Sequence, residues 1–508
     1  MKTPLIDHKF KDLTDVLRGA AASLAGFAGR TAARVLFLFF AGNFYGAVRL
    51  GELASVIAVI EILVMLGIFG FRRSLLEFLE GAKGKPERQY TLVLTAMTIV
   101  FAIGATLAGT LALLWDYIGL NMKTPLYPLF AFLIPFVAVM DVILTTTRFK
   151  RIVRHEVFAR SLVEPWTLAL TAVAFYFSGV RESGLLLAYS ASLIAAFIYA
   201  LYAFGRVYEW KKLFKSRVDF SLVKKMASFS GPTALVDAIG VAFRRADIIA
   251  LSFFTPDAIV GIYYGVQNLA TVIQKTRHVF DPILSPVLNQ TLSQRGVKDA
   301  GQQLSQVCRW ILTLLALQLA IMAFYAAPLL GLIGTGFAVG AMALIIILAA
   351  EALEGTLASA ELPFVFKKPL LNLSLTATAF GIHLVGLTLL TPRFGMVGTA
   401  SSFLLALFCL NGLRLIFIKK KFDISLLAWR YLKPIAAGTL AYLALYQAGK
   451  VIDLTAVYFV PAGIALGVGV YVAAFWLMGA SQEDRDFVAY LKSRKKPKMA
   501  VDKDFDQV

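Results

Sequence analysis

Apolar stretches of bilayer length recur along the whole chain, separated by short polar segments. A membrane helix needs about 20 predominantly apolar residues. By that measure the pattern predicts fourteen spans, at 19–43, 50–70, 90–115, 126–147, 157–178, 184–205, 226–254, 258–285, 303–325, 337–358, 370–390, 395–417, 434–449 and 456–479. No low-complexity segment interrupts them, and the longest polar stretches are the two chain ends. Residues 1–18 are polar and mixed in charge, so they are not read as a cleavable signal peptide. Within them, 5–18 are expected to form a short interfacial helix. Ser481 to Val508 is a highly charged tail, expected in water or on anionic headgroups.

Composition agrees with the pattern. Of 508 residues, 59% are hydrophobic and 16% charged, against about 45–50% and about 25% in soluble chains. A soluble protein cannot hide that much apolar surface. Cys308 and Cys409 are both in apolar stretches and give no disulfide framework. A net charge of +19 would suggest nucleic acid in a soluble protein, but its distribution points elsewhere. The N-terminus, every second loop and the tail carry 37 of the 50 Lys and Arg; the opposite loops carry five, Arg49, Lys123, Arg181, Arg393 and Lys450. That alternation is the positive-inside bias. It implies fourteen spans in the cytoplasmic (inner) membrane with both termini cytoplasmic, and it removes any need for a nucleic-acid partner.

The chain also matches itself. Ala28-Gly29-Arg30, Phe39-Phe40 and Leu53-Ala54-Ser55-Val56-Ile57 are echoed by Ala242-Phe243-Arg244, Phe253-Phe254 and Leu269-Ala270-Thr271-Val272-Ile273. Spans one and seven run in the same direction, so the halves are expected to be parallel repeats, as in many transporters. The organisation expected is a cytoplasmic segment (1–18), an N-lobe of helices 1–6 (19–205), a cytoplasmic linker (206–225), a C-lobe of helices 7–12 (226–417), an appended pair (434–479) and the tail (481–508). Residues 19–205 should then superpose on 226–417 about an axis along the membrane normal. Gly463 and Gly467, four apart in the last span, form a small-residue packing surface.

Short motifs carry a family resemblance. Asp247-Ile-Ile-Ala-Leu-Ser-Phe-Phe, followed by Val260-Gly261-Ile262-Tyr263, resembles the seventh and eighth helices of polysaccharide (Wzx-type) flippases. These belong to the multidrug/oligosaccharidyl-lipid/polysaccharide exporter superfamily. Pro392-Arg393-Phe394-Gly395-Met396-Val397-Gly398-Thr399-Ala400 is similar to that family's loop between helices eleven and twelve. Tyr45-Gly46 and Gly67-Ile68-Phe69-Gly70 are similar again. The resemblance implies an all-α membrane fold, two six-helix lobes around a central cavity plus two C-terminal helices. It also implies an activity: moving an isoprenoid-pyrophosphate-linked oligosaccharide across the membrane by alternating access. The superfamily's drug exporters often place a carboxylate in the first helix, where this chain has Arg30 and Arg34.

Besides Arg414, counted with the cytoplasmic loop that follows its span, eight basic residues fall inside the spans: Arg30, Arg34, Arg160, Arg244, Arg245, Lys275, Arg277 and Arg309. Each costs about 2.5 kcal/mol or more in lipid, so most must face protein or a water-filled cavity. Arg160 and Arg309 are close enough to cytoplasmic ends to snorkel. Glu61, Asp141, Glu164, Asp237, Asp247, Asp281, Glu351 and Glu354 are the available acids. Arg160 with Glu164, Arg244 with Asp247 and Arg277 with Asp281 are spaced as local ion pairs. Arg30 and Arg34 are one turn apart on one face without a local acid; Glu61 and Asp141 are their expected protein partners. A pyrophosphate would serve instead, since Arg grips such oxygens bidentately. The candidate headgroup-binding set is therefore Arg30, Arg34, Arg244, Arg245, Lys275, Arg277 and Arg309. The candidate ion-pair or coupling acids are Glu61, Asp141, Asp237, Asp247 and Asp281. By depth, Lys275, Arg277 and Arg309 are expected in the cytoplasmic half, Arg30 near the middle, and Arg34, Arg244 and Arg245 in the outer half.

His8 and His155 are expected in water, His278 near substrate and His383 packed in the interior. No metal spacing, cofactor motif, phosphate-binding glycine loop, nucleophilic constellation or ATPase motif is present. The expectation is a transporter rather than an enzyme, since the outer loops are too short for a polymerase or ligase site. Its partners would be the lipid-linked oligosaccharide (for an O-antigen, capsule or exopolysaccharide), membrane lipids, and a polysaccharide polymerase or export machinery, with the protein itself a monomer. The alternatives are a cation-coupled multidrug antiporter or a lipid II flippase. A cysteine at Thr255 should react with an impermeant thiol reagent added outside the cell, and one at Lys212 should not; the reverse pattern would overturn the topology.

Overall fold

Where the predicted spans fall on described residues the chain is helical, and the departures are in how helices begin, break and join. The computed structural model describes residues 29–114, 127–278, 297–426 and 429–479. The interfacial helix expected at 5–18, the start of the first span, the loop at 115–126, Asp281 and the charged tail lie outside the described residues.

Helix α1 covers residues 29–40 and runs into a π-helical turn, Ala41–Tyr45. There follow α2 (Gly46–Ile68), α3 (Phe71–Gly81), α4 (Pro86–Leu114) and α5 (Tyr127–Phe149). Next come α6 (Arg154–Phe158), a second π turn (Ala159–Val163), α7 (Glu164–Phe177), α8 (Gly184–Val207) and α9 (Trp210–Lys215). The second half has α10 (Phe220–Phe254), α11 (Asp257–His278), α12 (Val297–Phe324), α13 (Ala326–Ile333), α14 (Ala341–Leu357) and α15 (Leu362–Lys367). Last are α16 (Pro369–Phe422), α17 (Leu432–Ala448) and α18 (Val460–Leu477). Among the described residues there is no strand. The chain is an all-α, multi-pass membrane protein. Among the described residues eight helical stretches are long and apolar enough to cross a bilayer, and two of them, Gly29–Gly81 and Pro369–Phe422, run to 53 and 54 residues. At 1.5 Å per residue, each reaches about 80 Å, enough for two crossings.

Turn chemistry makes those double stretches. Gly46, with φ +80°, lets α2 leave the π turn at an angle. Phe69 and Gly70, both at positive φ, end α2 and start α3 with no intervening loop. The Pro392–Ala400 motif, expected as a loop, is instead the corner of α16: Gly395 takes φ 54°, ψ −134°, and the two helical arms meet directly. Thr391 and Thr399 hydroxyls are 3.0 Å apart across the corner, so its polar groups satisfy each other. Asp219 caps α10 by accepting from the Ser221 hydroxyl at 2.6 Å and from the Ser221 amide at 2.9 Å, and these hydrogen bonds hold its carboxyl below the usual range.

The chain forms two compact units, one of residues 1–275 with 326–422, the other of 276–325 with 423–508. In the first, α4 packs on α5, α7 on α8, α2 and α16 on α10, and α14 on α16. Its second-half core gathers Phe243, Leu375, Ala379, Phe403, Leu407 and Leu410. In the second unit, α12, α17 and α18 pack through Ala316, Ala320, Ala437, Ala441, Tyr471 and Ala474. Small residues allow this close approach, since lipid provides no hydrophobic drive for one helix to seek another. Gly463 sits under the Tyr325 hydroxyl and Gly467 against Leu445, so both are used in packing. The compact units cut across the expected lobes, because α12 groups with the C-terminal helices.

Within the first unit, α2 and α11 touch backbone to backbone. A methyl group on Gly51 would overlap the Asp257 carbonyl, and one on Gly261 would overlap that of Ala47. Nearby, the Ser55 and Ser252 hydroxyls are 2.5 Å apart, and Asn43 Nδ2 donates to the carbonyls of Leu332 (3.0 Å) and Ile333 (2.9 Å). These contacts clamp the first half of the chain to the second. A Ser55→Cys/Ser252→Cys pair should therefore cross-link under mild oxidation. Adding Gly261→Val should reduce the cross-linked fraction several-fold; an unchanged yield would show that the clamp does not depend on the glycine contact.

Candidate functional site

A cavity of about 990 Å³ opens inside the first unit. Its wall takes residues from both halves of the chain: Arg34 on α1, Glu61 on α2, Arg72 and Arg73 at the start of α3, and Asp237, Arg244, Arg245 and Asp247 on α10. Gln274 on α11, Glu351 and Glu354 on α14, Glu361 and Arg414 line it as well.

Ion pairs account for most of these charges. Arg245 Nε is 2.5 Å from Glu61, Arg73 is 3.1 Å from Asp237, and Arg244 is 3.4 Å from Glu351, which also accepts from Gln274 Nε2 at 3.2 Å. Arg414, only 2% exposed, bridges Glu354 at 3.1 Å and Glu361 at 2.7 Å, and Asn411 Nδ2 donates to Glu354 at 2.8 Å. Behind the wall, buried Asp141 accepts from Arg72 at 2.7 Å and from Arg160, which also reaches Glu164 at 3.1 Å.

The expected partners of Arg30 and Arg34 are thus engaged elsewhere: Glu61 holds Arg245, and Asp141 holds Arg72 and Arg160. Among the described residues, neither Arg30, Arg34 nor Lys275 makes a salt bridge or hydrogen bond. Arg30, Arg34 and Arg244 are close enough to Lys275 to repel it. These positions form a cluster of excess positive charge beside and within the cavity. Two like charges held together in a low-dielectric wall favour an anion between them.

Several expectations are corrected. Arg244 does not pair with Asp247; α16 brings His383 against that carboxylate, and Arg244 turns to Glu351. Arg160 does not snorkel but is fixed between two acids. Arg309 is 5% exposed, buried in the other unit and not part of the cavity lining. Lys275 stands near Arg30, Arg34 and Arg244 rather than in a separate tier. His155 is buried with Nδ1 3.1 Å from the Tyr199 hydroxyl, and burial beside Arg154 pushes its imidazole below the ordinary value. The Arg277 and His278 side chains, with Asp281, lie outside the described residues.

Sequence reasoning assigned Arg72, Arg73 and Arg414 to cytoplasmic loops and passed over Glu361. The Phe69-Gly70 corner was the available signal for the first two: with no loop, both arginines fall on a helix start that faces α5 and α10. For Arg414 the signal was Asn411, a second polar residue one turn away in an apolar helix.

Residues 16–291 match the family described as "Polysaccharide biosynthesis protein". Among solved structures, the fold is similar to "Lipid II flippase MurJ, inward closed conformation", with a TM-score of 0.72 at 13% identity, covering 92% of this chain and 100% of that one. It is similar also to an inward-facing multidrug resistance MATE family transporter of the MOP superfamily, with a TM-score of 0.62 at 13% identity over 78% of this chain and 94% of that one. A Vibrio cholerae MATE transporter, VcmN, has a TM-score of 0.54 at 16% identity over 82% and 98%. No curated protein matches the sequence.

The pairing pattern separates structural from available charges. Asp141→Asn should strand Arg72 and weaken the hold on Arg160, at a cost of about 3–5 kcal/mol. The measurable result is a lower thermal midpoint in detergent and less protein in the membrane, whereas Arg34→Ala should change neither. Equal abundance of Asp141→Asn and wild-type protein would remove its structural role.

Proposed function

We propose, from the premise that this chain belongs to the polysaccharide biosynthesis protein family, that it flips an isoprenoid-pyrophosphate-linked oligosaccharide to the outer leaflet of the cytoplasmic membrane. The observation that carries this reading is the charge balance of the cavity. Each acid lining it is within ion-pair distance of a basic side chain, Glu354 and Glu361 sharing Arg414 and Asp247 facing His383, while Arg34 lines it without a partner and Arg30 and Lys275 stand beside it. A pyrophosphate headgroup brings two or more negative charges of the kind this cluster attracts, and guanidinium groups bind its oxygens in pairs.

The path proposed runs between the two halves of the chain. The headgroup enters the cavity with its isoprenoid tail left in lipid, where the tail costs nothing to keep. Arg30, Arg34, Arg244 and Lys275 neutralise it while bulk water is excluded. Passage to the outer leaflet then requires the α2–α11 clamp to part, since its glycine contacts close that route. Arg245 and Arg414 act differently under this reading: fixed by Glu61, Glu354 and Glu361, they hold the wall in shape. The positive-inside bias supports cytoplasmic termini, with the headgroup loaded from that side. A multidrug antiporter is less well supported, because a cationic substrate would meet unpaired arginines.

Arg30→Ala and Arg34→Ala should each reduce glycan export about tenfold or more per unit of protein, the size expected when one charge-assisted hydrogen bond is lost. Arg34→Lys, which keeps the charge and loses the planar fork, should fall between wild type and Arg34→Ala. Export is read by complementation of a flippase-deficient strain, normalised to membrane abundance. Full export from both alanine variants would overturn the headgroup role. Rescue of lipid II translocation without glycan export would change the substrate assigned.

A further inference from the structure

Beyond the basic cluster, the cavity wall changes from charged to uncharged polar chemistry along one face of α11. Tyr264, Gln267, Asn268, Thr271 and Gln274 all line the cavity, and Lys275, one residue on, belongs to the basic cluster. Spacings of three, four and seven residues put these side chains on one face of the helix. At 1.5 Å per residue the stripe is about 16 Å long from Lys275 to Tyr264. Ile262, Val266 and Ile273, on the opposite face, are buried.

The fold does not require such a stripe. In the sequence register that aligns Leu53-Ala54-Ser55-Val56-Ile57 with Leu269-Ala270-Thr271-Val272-Ile273, the same six positions on α2 are Val48, Gly51, Glu52, Ser55, Ala58 and Val59. That face of α2 is mostly small and apolar, and Gly51 and Ser55 are spent on contacts with α11 and α10. A polar side chain in a membrane helix costs free energy unless it has partners, so amides repeated turn after turn need water or a ligand to bind.

The hydrogen bonds fix which atom of each amide is left over. Asn268 Nδ2 donates to the Tyr264 carbonyl at 2.8 Å, Gln274 Nε2 to Glu351 at 3.2 Å and Gln267 Nε2 to Asp247 at 3.3 Å. A carbonyl or carboxylate oxygen can accept only from the amide nitrogen, so these three amides cannot be reversed. Their oxygens have no partner among the described residues. Thr271, whose hydroxyl donates to the Asn268 carbonyl at 2.6 Å, keeps its oxygen lone pairs. Turn by turn, α11 therefore offers a row of uncharged hydrogen-bond acceptors. Phosphate oxygens, acceptors themselves, are better served by the arginines, whereas sugar hydroxyls are donors. The cavity, about 990 Å³, is at the upper end of sites that enclose a whole ligand, about 300–1,000 Å³, and has room for sugar beside the diphosphate.

We propose that the uncharged face of α11 reads the sugar attached to the diphosphate, with Asn268 and Thr271 accepting from its hydroxyls and Gln274 nearest the phosphates. This rests on the headgroup reading above and deepens it, since the substrate is then told apart by its first sugar as well as by its diphosphate. The sugar so read is neutral, because a carboxylate there would face acceptors.

Binding to the purified full chain tests this, with the glucosyl, galactosyl and N-acetylglucosaminyl esters of farnesyl pyrophosphate as probes. The reference is the methyl ester of farnesyl pyrophosphate, which has the same charge and no sugar. At least one glycosylated probe should bind wild type about tenfold more tightly than the reference, the gain from one or two good hydrogen bonds. Asn268→Leu, which keeps the size and loses the oxygen, should remove about two- to tenfold of that preference. Equal binding of every probe and the reference to wild type, as a wall that is only hydrated would give, overturns the sugar site and leaves the headgroup reading intact. A preference that survives unchanged in both Asn268→Leu and Thr271→Val overturns the assignment to α11. Binding of neither the probes nor the reference overturns both readings. Should Asn268→Leu fold poorly, judged by its thermal midpoint, Thr271→Val decides alone, since it removes one hydroxyl at nearly constant shape.

Discussion

Charge pairing in a low-dielectric wall is the constraint on which this structure depends. Helices in lipid gain little from hydrophobic burial against each other, so their arrangement is fixed by close contact of small residues and by polar groups that cannot be left alone. Asp141 joins α3, α5 and the π turn after α6 through Arg72 and Arg160; Glu61 joins α2 to α10; Glu354 and Glu361 hold the second arm of α16 through Arg414. Removing one partner from such a pair leaves an uncompensated buried charge, which is why these side chains act as structural ties.

The same constraint singles out the charges left over. Once the tied charges are set aside, Arg30, Arg34 and Lys275 are left with no partner among the described residues. They gather near Arg244, whose hold on Glu351 is long and half-exposed. Such an excess persists only where water or an anion reaches it, and Arg34 lines the cavity.

Backbone contact supplies the second organising element. Gly51 and Gly261 bring α2 and α11 together without side chains between them, and Gly395 turns α16 on itself so that His383 and Ser402 face each other.

Much of the fold was legible in the sequence. Runs of about 20 apolar residues can satisfy their backbone in lipid only as helices, and the alternation of Lys and Arg between loops gave an expected direction for each. The resemblance carried by Gly395, Gly261 and their neighbours agreed with the matched family and with the transporter folds. Even Arg30 and Arg34 stood out, since no local acid could pair with them. Which acid takes which arginine was beyond the sequence. Arg244 has Asp247 one turn away yet binds Glu351, 107 residues distant, because α16 delivers His383 to that carboxylate first. Arg414 and Arg72 read as loop charges until the tight corners placed them inside the wall. Spacing along a helix fixes only local neighbours, whereas partners across helices are set by how the helices cross, and that was decided by tertiary packing alone.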